Sequence, residues 1–236
     1  MRWAVLAVLL WPAPAMAEIS SMAECDDAIR ANPSIARAQA LAWIARGGSV
    51  PARLCAASAL RAEGAPQAAA EELTALGQNM SLVMEPSLRG KIFVEAGLIW
   101  FELGNFKTAA DALHVGAKLA PDTPGVLRAL GQAQAEYGAL DKAETALDRA
   151  LDKDGADTDA RFLRAQVRRA QGNLAGAKTD LDLLGDAPAI DLERAHVHAD
   201  AGENKAAADL AFAIIEAAPD PDIAAEARTL LQTLAE

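Results

Sequence analysis

Aromatic side chains make up only 4% of this 236-residue chain, with one tyrosine, five phenylalanines and four tryptophans. A core built around large rings is excluded. Because 52% of the residues are nevertheless apolar and alanine dominates, the interior must be made by small side chains that let backbones approach closely. That demand favours an all-helical chain. Basic residues are also short: 22 Lys and Arg stand against 33 Asp and Glu, for a net charge of −11. Nucleic acid and anionic lipid are thereby excluded as main partners, since both reward positive surfaces.

Catalytic signatures are missing as well. No GxSxG elbow, P-loop, HExxH or dinucleotide fingerprint occurs. Of the three histidines, His196 and His198 are two positions apart and point to different sides of a helix, whereas His196 and Asp200 share a face. Two candidate ligands without a third do not make a metal site, so neither metal nor cofactor is expected. An enzyme on a helical scaffold is the rival class, but no nucleophile, base and electrostatic hole are matched to one another. The chain is read as not an enzyme.

Long apolar runs are absent too. The first seventeen residues, "MRWAVLAVLLWPAPAMA", carry Arg2, nine apolar residues from Trp3 to Trp11, and Ala15-Met16-Ala17 as a small-x-small cleavage site. They read as a secretory signal peptide. A membrane anchor is the alternative, but the run falls short of the ~20 residues that span a bilayer. The expected address is therefore the periplasm, with no membrane insertion after signal cleavage. A short leader and an alanine-rich chain point to a bacterial envelope.

Cysteine is nearly absent: Cys25 and Cys55 are the pair available. In an exported, oxidising setting they are expected to form a disulfide. Two buried thiols are the alternative. Thirty residues apart, they make no CxxC redox motif.

What is present is helical periodicity, interrupted every dozen or so residues by Gly, Pro, Asp or Asn. Thr123-Pro124 and Asp220-Pro221 each read as an N-cap followed by a first-turn proline. Gly104, Gly138 and Gly172 recur at intervals of 34 residues. Seven residues before them stand Gly97, Gly131 and Ala165; five after stand Ala109, Ala143 and Ala177; nine after stand Leu113, Leu147 and Leu181. Gly64 and Gly202 carry looser copies, with Ala57, Ala69 and Leu73, and with Ala195, Ala207 and Pro219. A glycine inside a helix costs roughly 1 kcal/mol against alanine. Its presence at Gly131 is explained if two helices cross there, with Ala143 opposite.

This pattern resembles the tetratricopeptide repeat, a 34-residue helix-turn-helix unit. The stretches "EAGLIWFELGNFKTAADAL", "RALGQAQAEYGALDKAETAL" and "LRAQVRRAQGNLAGAKTDL" carry the resemblance. It implies an all-α, right-handed solenoid of antiparallel helix pairs, about five units long. Residues 18–49 are expected to form an N-terminal helical cap, 50–219 the repeat array and 220–236 a C-terminal cap helix. In the third stretch the resemblance implies a structural ion pair between Arg164 and Asp180. The interval from Gly172 to Gly202 is only 30 residues, so the second helix or the loop of the fourth unit should be shortened.

The resemblance also implies where a partner binds. Groove residues fall about ten, six and three positions before each turn glycine, on one face of the first helix. They are Leu54, Ser58 and Arg61; Val94, Leu98 and Phe101; Arg128, Gln132 and Ala135; Phe162, Gln166 and Arg169; and Leu192, His196 and Ala199. Arg128, Gln132, Gln166 and Arg169 put two guanidiniums and two amides side by side in an acidic protein. Arginine forks suit carboxylates. The expectation is a periplasmic scaffold or adaptor that binds a protein or peptide carrying an acidic group or a C-terminal carboxylate, in envelope complex assembly or chaperoning. Arginines paired with Glu102, Glu136 or other local acids are the alternative. Self-association through Leu82, Val83 and Met84 is another.

Overall fold

A computed structural model describes residues 18–121, 123, 125–217 and 220–235. The leader reading for residues 1–17 lies outside them. Among the described residues there are thirteen α-helices and no strand. They fall into two units that divide between Val83 and Met84.

The first unit holds α1 (Met22–Ala31), α2 (Pro33–Ala45), α3 (Val50–Ala62) and α4 (Pro66–Gln78). Ser21 opens α1 with a capping box: its hydroxyl accepts from the Glu24 amide while the Glu24 carboxylate accepts from the Ser21 amide. Hydrogen bonds from the Ser20 backbone and hydroxyl, with those from Ser21, hold the Glu24 carboxyl below its ordinary range. Cys25 on α1 and Cys55 on α3 form a disulfide with their Cα atoms 5.9 Å apart. Both are fully buried beside Ile19, Ala40 and Ala56. The bridge therefore fastens the expected cap to the first repeat-like helix.

The second unit holds α5 (Pro86–Glu102), α6 (Phe106–Leu119), α7 (Val126–Glu136), α8 (Leu140–Lys153), α9 (Thr158–Ala170), α10 (Leu174–Asp182), α11 (Pro188–Asp200), α12 (Asn204–Ala217) and α13 (Pro221–Leu234). Within each of its four pairs one left-handed glycine makes the turn: Gly104, Gly138, Gly172 and Gly202 have φ between 74° and 86°. The residue after each donates to the carbonyl five positions back, as Ala139 does to Gln134 and Asn173 to Arg168. These are Schellman closures, which need the conformation that glycine adopts without strain.

Close crossing explains the helical glycines. A Cβ on Gly131 would lie 2.6 Å from Leu147 Cγ and 3.2 Å from the Ala143 carbonyl oxygen. Gly97 repeats this against Leu113 at 2.7 Å and Ala109 at 3.1 Å. Ala143, Leu147, Ala109 and Leu113 are fully buried in one continuous core. Small residues at the repeat interval thus let each pair nest and stack on the next.

One local expectation is corrected. Thr123 does not cap α7; the chain makes an extra turn, from the Val126 amide to the Thr123 carbonyl, and Gly125 is the N-cap with φ +70°. Pro124 lies outside the described residues. The shortening of the fourth unit falls on α10, nine residues long against fourteen in α6 and α8. Arg194 on α11 donates to the carbonyls of Leu181 and Leu184, supplying partners that the early stop leaves open.

Candidate functional site

Within the second unit, α5 touches α7, α7 touches α9 and α9 touches α11, while the second helices α6, α8 and α10 lie farther apart. A stack that is tight on one side and splayed on the other curves, so the row of first helices is its inner side. The expected groove residues from Val94 onward lie on the helices of this row.

Val94 is a correction. It is buried, and its Cγ2 fills the space over Gly116 on α6, so it holds the α5–α6 pair together and is not available to a partner. Leu192 is likewise core, packed with Ala195 and Ile214. The register fails there because the position ten before the glycine turns toward the second helix in these pairs. Leu98 is exposed, and Phe101 is half-buried with its ring 5.2 Å from that of Phe106. Gln132, Phe162, Gln166 and His196 are half-buried. Phe162 leans on the α9–α10 core, which leaves an edge for contact. His196 and Asp200 line a cavity of about 540 Å³ that reaches Thr229 and Thr233 on α13.

The arginines are occupied. Arg128 donates to Asp157 at 2.8 Å and to Asp159 at 2.9 Å; Arg169 donates to Glu193 at 2.6 Å and to Asp200 at 3.1 Å. Burial works to lower the Arg169 pKa, but the hydrogen bonds and charges of Glu193 and Asp200 outweigh it and hold the guanidinium above its ordinary value. The partners are not Glu102 or Glu136. They sit on or just before the next first helix, and in both cases the exposed acid is 31 residues on, about one repeat. That spacing was visible in the sequence and is the signal that would have found Asp159 and Asp200. Each arginine faces two carboxylates, which is the alternative of pairing with local acids, realised at Asp157, Asp159, Glu193 and Asp200.

Arg164 donates to Asp180 through Nε at 2.9 Å and Nη2 at 2.5 Å, the ion pair named above, and also to Asp148 at 2.6 Å. Its pKa is raised, first by the hydrogen bond to Asp180. Arg168 joins in, reaching Asp180 at 2.8 Å and Glu144 at 2.7 Å. Asp180, only 1% exposed, is thus held by α9 and tied through the arginines to α8. Reading a single pair from the sequence missed this cross-repeat cluster.

The disulfide lies in the other unit, where Leu54 is half-buried and Ser58 and Arg61 are exposed on α3. No group of three metal-ligating side chains occurs among the described residues. No described helix is long and apolar enough to cross a membrane.

Glycine-turned helix pairs of 34-residue period, nested through small residues, are matched by solved structures. YrrB, described as a TPR protein with an unusual peptide-binding site, superposes with a TM-score of 0.63 over 89% of this chain and 100% of its own, at 16% identity. The fold is that of the tetratricopeptide repeat. PilF of Pseudomonas aeruginosa gives a TM-score of 0.59 at 16% identity, covering 88% of this chain and 98% of its own. A thermophilic TPR protein of Thermus thermophilus gives 0.53 at 18% identity, over 76% of this chain and 97% of its own. No protein-family model matches the sequence, and no curated protein does. The tetratricopeptide likeness is therefore one of fold.

Proposed function

We propose that this chain is an exported tetratricopeptide scaffold that binds a protein or peptide along the inner row α5–α7–α9–α11, in the assembly or chaperoning of a bacterial envelope complex. The observation that carries the reading is the row itself: exposed Leu98 and the Phe101 edge lie beside Gln132 and Gln166 on helices that touch one another. Such a row offers an apolar anchor and fixed amides without a catalytic pocket. The peptide-binding site described for YrrB supports it by likeness of fold. The Cys25–Cys55 bridge supports an oxidising address.

The partner's charge follows from the arginine sites. Asp159 and Asp200 leave a negative rim, which disfavours an acidic group and favours amide or basic side chains next to an apolar stretch. A photo-crosslinking residue at Leu98 or at Gln132 should capture one and the same partner in the periplasm, and the same residue at exposed Lys178 on α10 should not. Equal capture at Lys178, or protein that stays in the cytoplasm after osmotic shock, overturns the reading.

Self-association is a second reading with its own observation. Val83 is 103% exposed and Met80 81% exposed in the connection after α4. Solution mass that rises with concentration and falls back in Val83→Ser favours it.

A further inference from the structure

The 34-residue period allows the molecule to be compared with itself. Between α8 and α10 the cleft over α9 is closed by ions: Arg164 and Arg168 rise from α9, and Glu144, Asp148 and Asp180 meet them. One repeat earlier, between α6 and α8 over α7, the same five positions hold Leu130, Gln134, Ala110, His114 and Ala146. Four of the five are shorter than their counterparts and none carries a permanent charge, which leaves that cleft open, with a volume of about 330 Å³. This is the lower end of the size range of small-ligand sites.

Its chemistry is not that of an unused gap. Gln134 is 7% exposed, lines the cleft, and its Oε1 has no hydrogen-bond donor among the described residues. A buried acceptor of this kind is costly to leave unmet. Lys142 and Arg149, seven residues apart on α8 and so on one face, both line the cleft, and neither makes an ion pair among the described residues. Asp111 at the edge is tied to Lys107 at 2.8 Å. Leu130, Ala110 and Ala146 supply an apolar floor. In a protein of net charge −11 this cleft gathers two cations that make no ion pair among the described residues around a buried acceptor that lacks a donor.

We propose that the α6–α8 cleft binds a carboxylate with an adjacent N–H, the group that ends a peptide chain. Arg149 and Lys142 take the carboxylate, Gln134 Oε1 accepts the N–H, and the floor of Leu130, Ala110 and Ala146 receives a small side chain. The site is independent of the inner row. Leu130 and Gln134 stand two residues from Arg128 and Gln132 and thus about 200° around α7. His114 reports on occupancy: burial pushes its pKa down, as do Lys118 on its own helix and Arg149 and Lys142 on α8, against the opposing pull of Asp111. Tyr137, just past the end of α7, lines the same cleft.

The test titrates the protein with N-acetyl-alanine while following the His114 ring by NMR, alongside N-acetyl-alaninamide, which lacks the carboxylate, and O-acetyl-lactate, which lacks the N–H. N-acetyl-alanine should saturate and raise the His114 pKa, and each analogue should bind at least about tenfold more weakly. Exposed Arg149→Gln should weaken N-acetyl-alanine to the level of the amide, and Gln134→Leu should erase its advantage over O-acetyl-lactate. Lys205→Gln, on α12, should change nothing. A longer peptide ending in alanine separates the two sources of the group: equal binding assigns chain ends, and exclusion assigns a free small molecule. No saturation by N-acetyl-alanine, an unchanged response in a folded Arg149→Gln, or equally tight binding of inorganic phosphate, which means an adventitious ion only, overturns the proposal.

Discussion

The Arg164 guanidinium grips the Asp180 carboxylate with two parallel hydrogen bonds, Nε to Oδ2 at 2.9 Å and Nη2 to Oδ1 at 2.5 Å, at a carboxylate almost wholly withdrawn from water. Asp180 also receives Arg168, so its removal leaves two mostly buried guanidiniums with only Asp148 and Glu144 as carboxylate partners. Asp180→Ala should cost no more than about 3–5 kcal/mol, the penalty when one side of a buried pair is left with no partner at all. Replacing Arg164 and Asp180 together by apolar residues should cost less than Asp180→Ala alone. Urea midpoints of the variants check this, read by hydrogen exchange in α9 and α10 because a repeat array need not unfold in one step.

Gly131→Ala sets two effects against each other. Alanine gains roughly 1 kcal/mol of helix propensity, but its Cβ would press on Leu147 Cγ at 2.6 Å and on the Ala143 carbonyl oxygen at 3.2 Å, and Leu147 is fully buried. Overpacking of this sort costs about 1–3 kcal/mol, so the variant should be less stable. A thermal midpoint at or above that of the parent would show that the α7–α8 crossing can relax.

Breaking the disulfide should act on the first unit. With Cys25 and Cys55 separated by 30 residues, the loop-closure model gives about 3–4 kcal/mol of stabilisation. Cys55→Ser should therefore expose α1 and α2 to exchange, with little effect beyond Met84. Thiol titration of unfolded, unreduced protein should find no free thiol.

His114 sets a pH dependence whose sign can be stated. Its folded pKa lies below the ordinary histidine value because burial and nearby Lys118, Arg149 and Lys142 disfavour the cation, with Asp111 opposing them. As pH falls through the ordinary histidine value the unfolded chain takes up the proton first, so stability declines with acidification in that window. Below the folded pKa both states are protonated and the decline from this residue stops. His114→Gln should flatten that part of the melting-temperature profile. An identical slope in the variant would reject the assignment.

The repeat was legible because its cause is steric. A small residue, a turn glycine and an alanine at fixed spacing can be read directly as a tight crossing, and Gly131 over Leu147 is that reading in three dimensions. The inner row was only half legible. Spacing placed Gln132 and Gln166 on it, but spacing alone cannot tell Leu98, which is exposed, from Val94, which packs over Gly116, because the difference lies in how far each helix rolls against its partner. The ion pairs of Arg128 and Arg169 were less legible still, since their partners come from the following repeat. Even so, the shared offset of 31 residues to Asp159 and Asp200 left a trace.

That offset leads to a prediction separating structure from binding at the inner row. Arg169 is shared by a buried acid, Glu193, and an exposed one, Asp200. Arg169→Ala leaves Glu193 with neither water nor its cation, and a carboxylate in that state costs several kcal/mol or takes up a proton. Asp200→Asn removes only the exposed partner, a contact in the range of about 0–1 kcal/mol. Charge reversal at Arg169 should therefore unfold α9–α11 before it informs on any ligand. Asp200→Asn and Asp159→Asn should leave the melting temperature nearly unchanged while weakening a basic peptide. If both asparagine variants bind a basic peptide as tightly as the parent, the acidic rim has no part in recognition, and the row must select its partner through Leu98, Phe101 and the two glutamines.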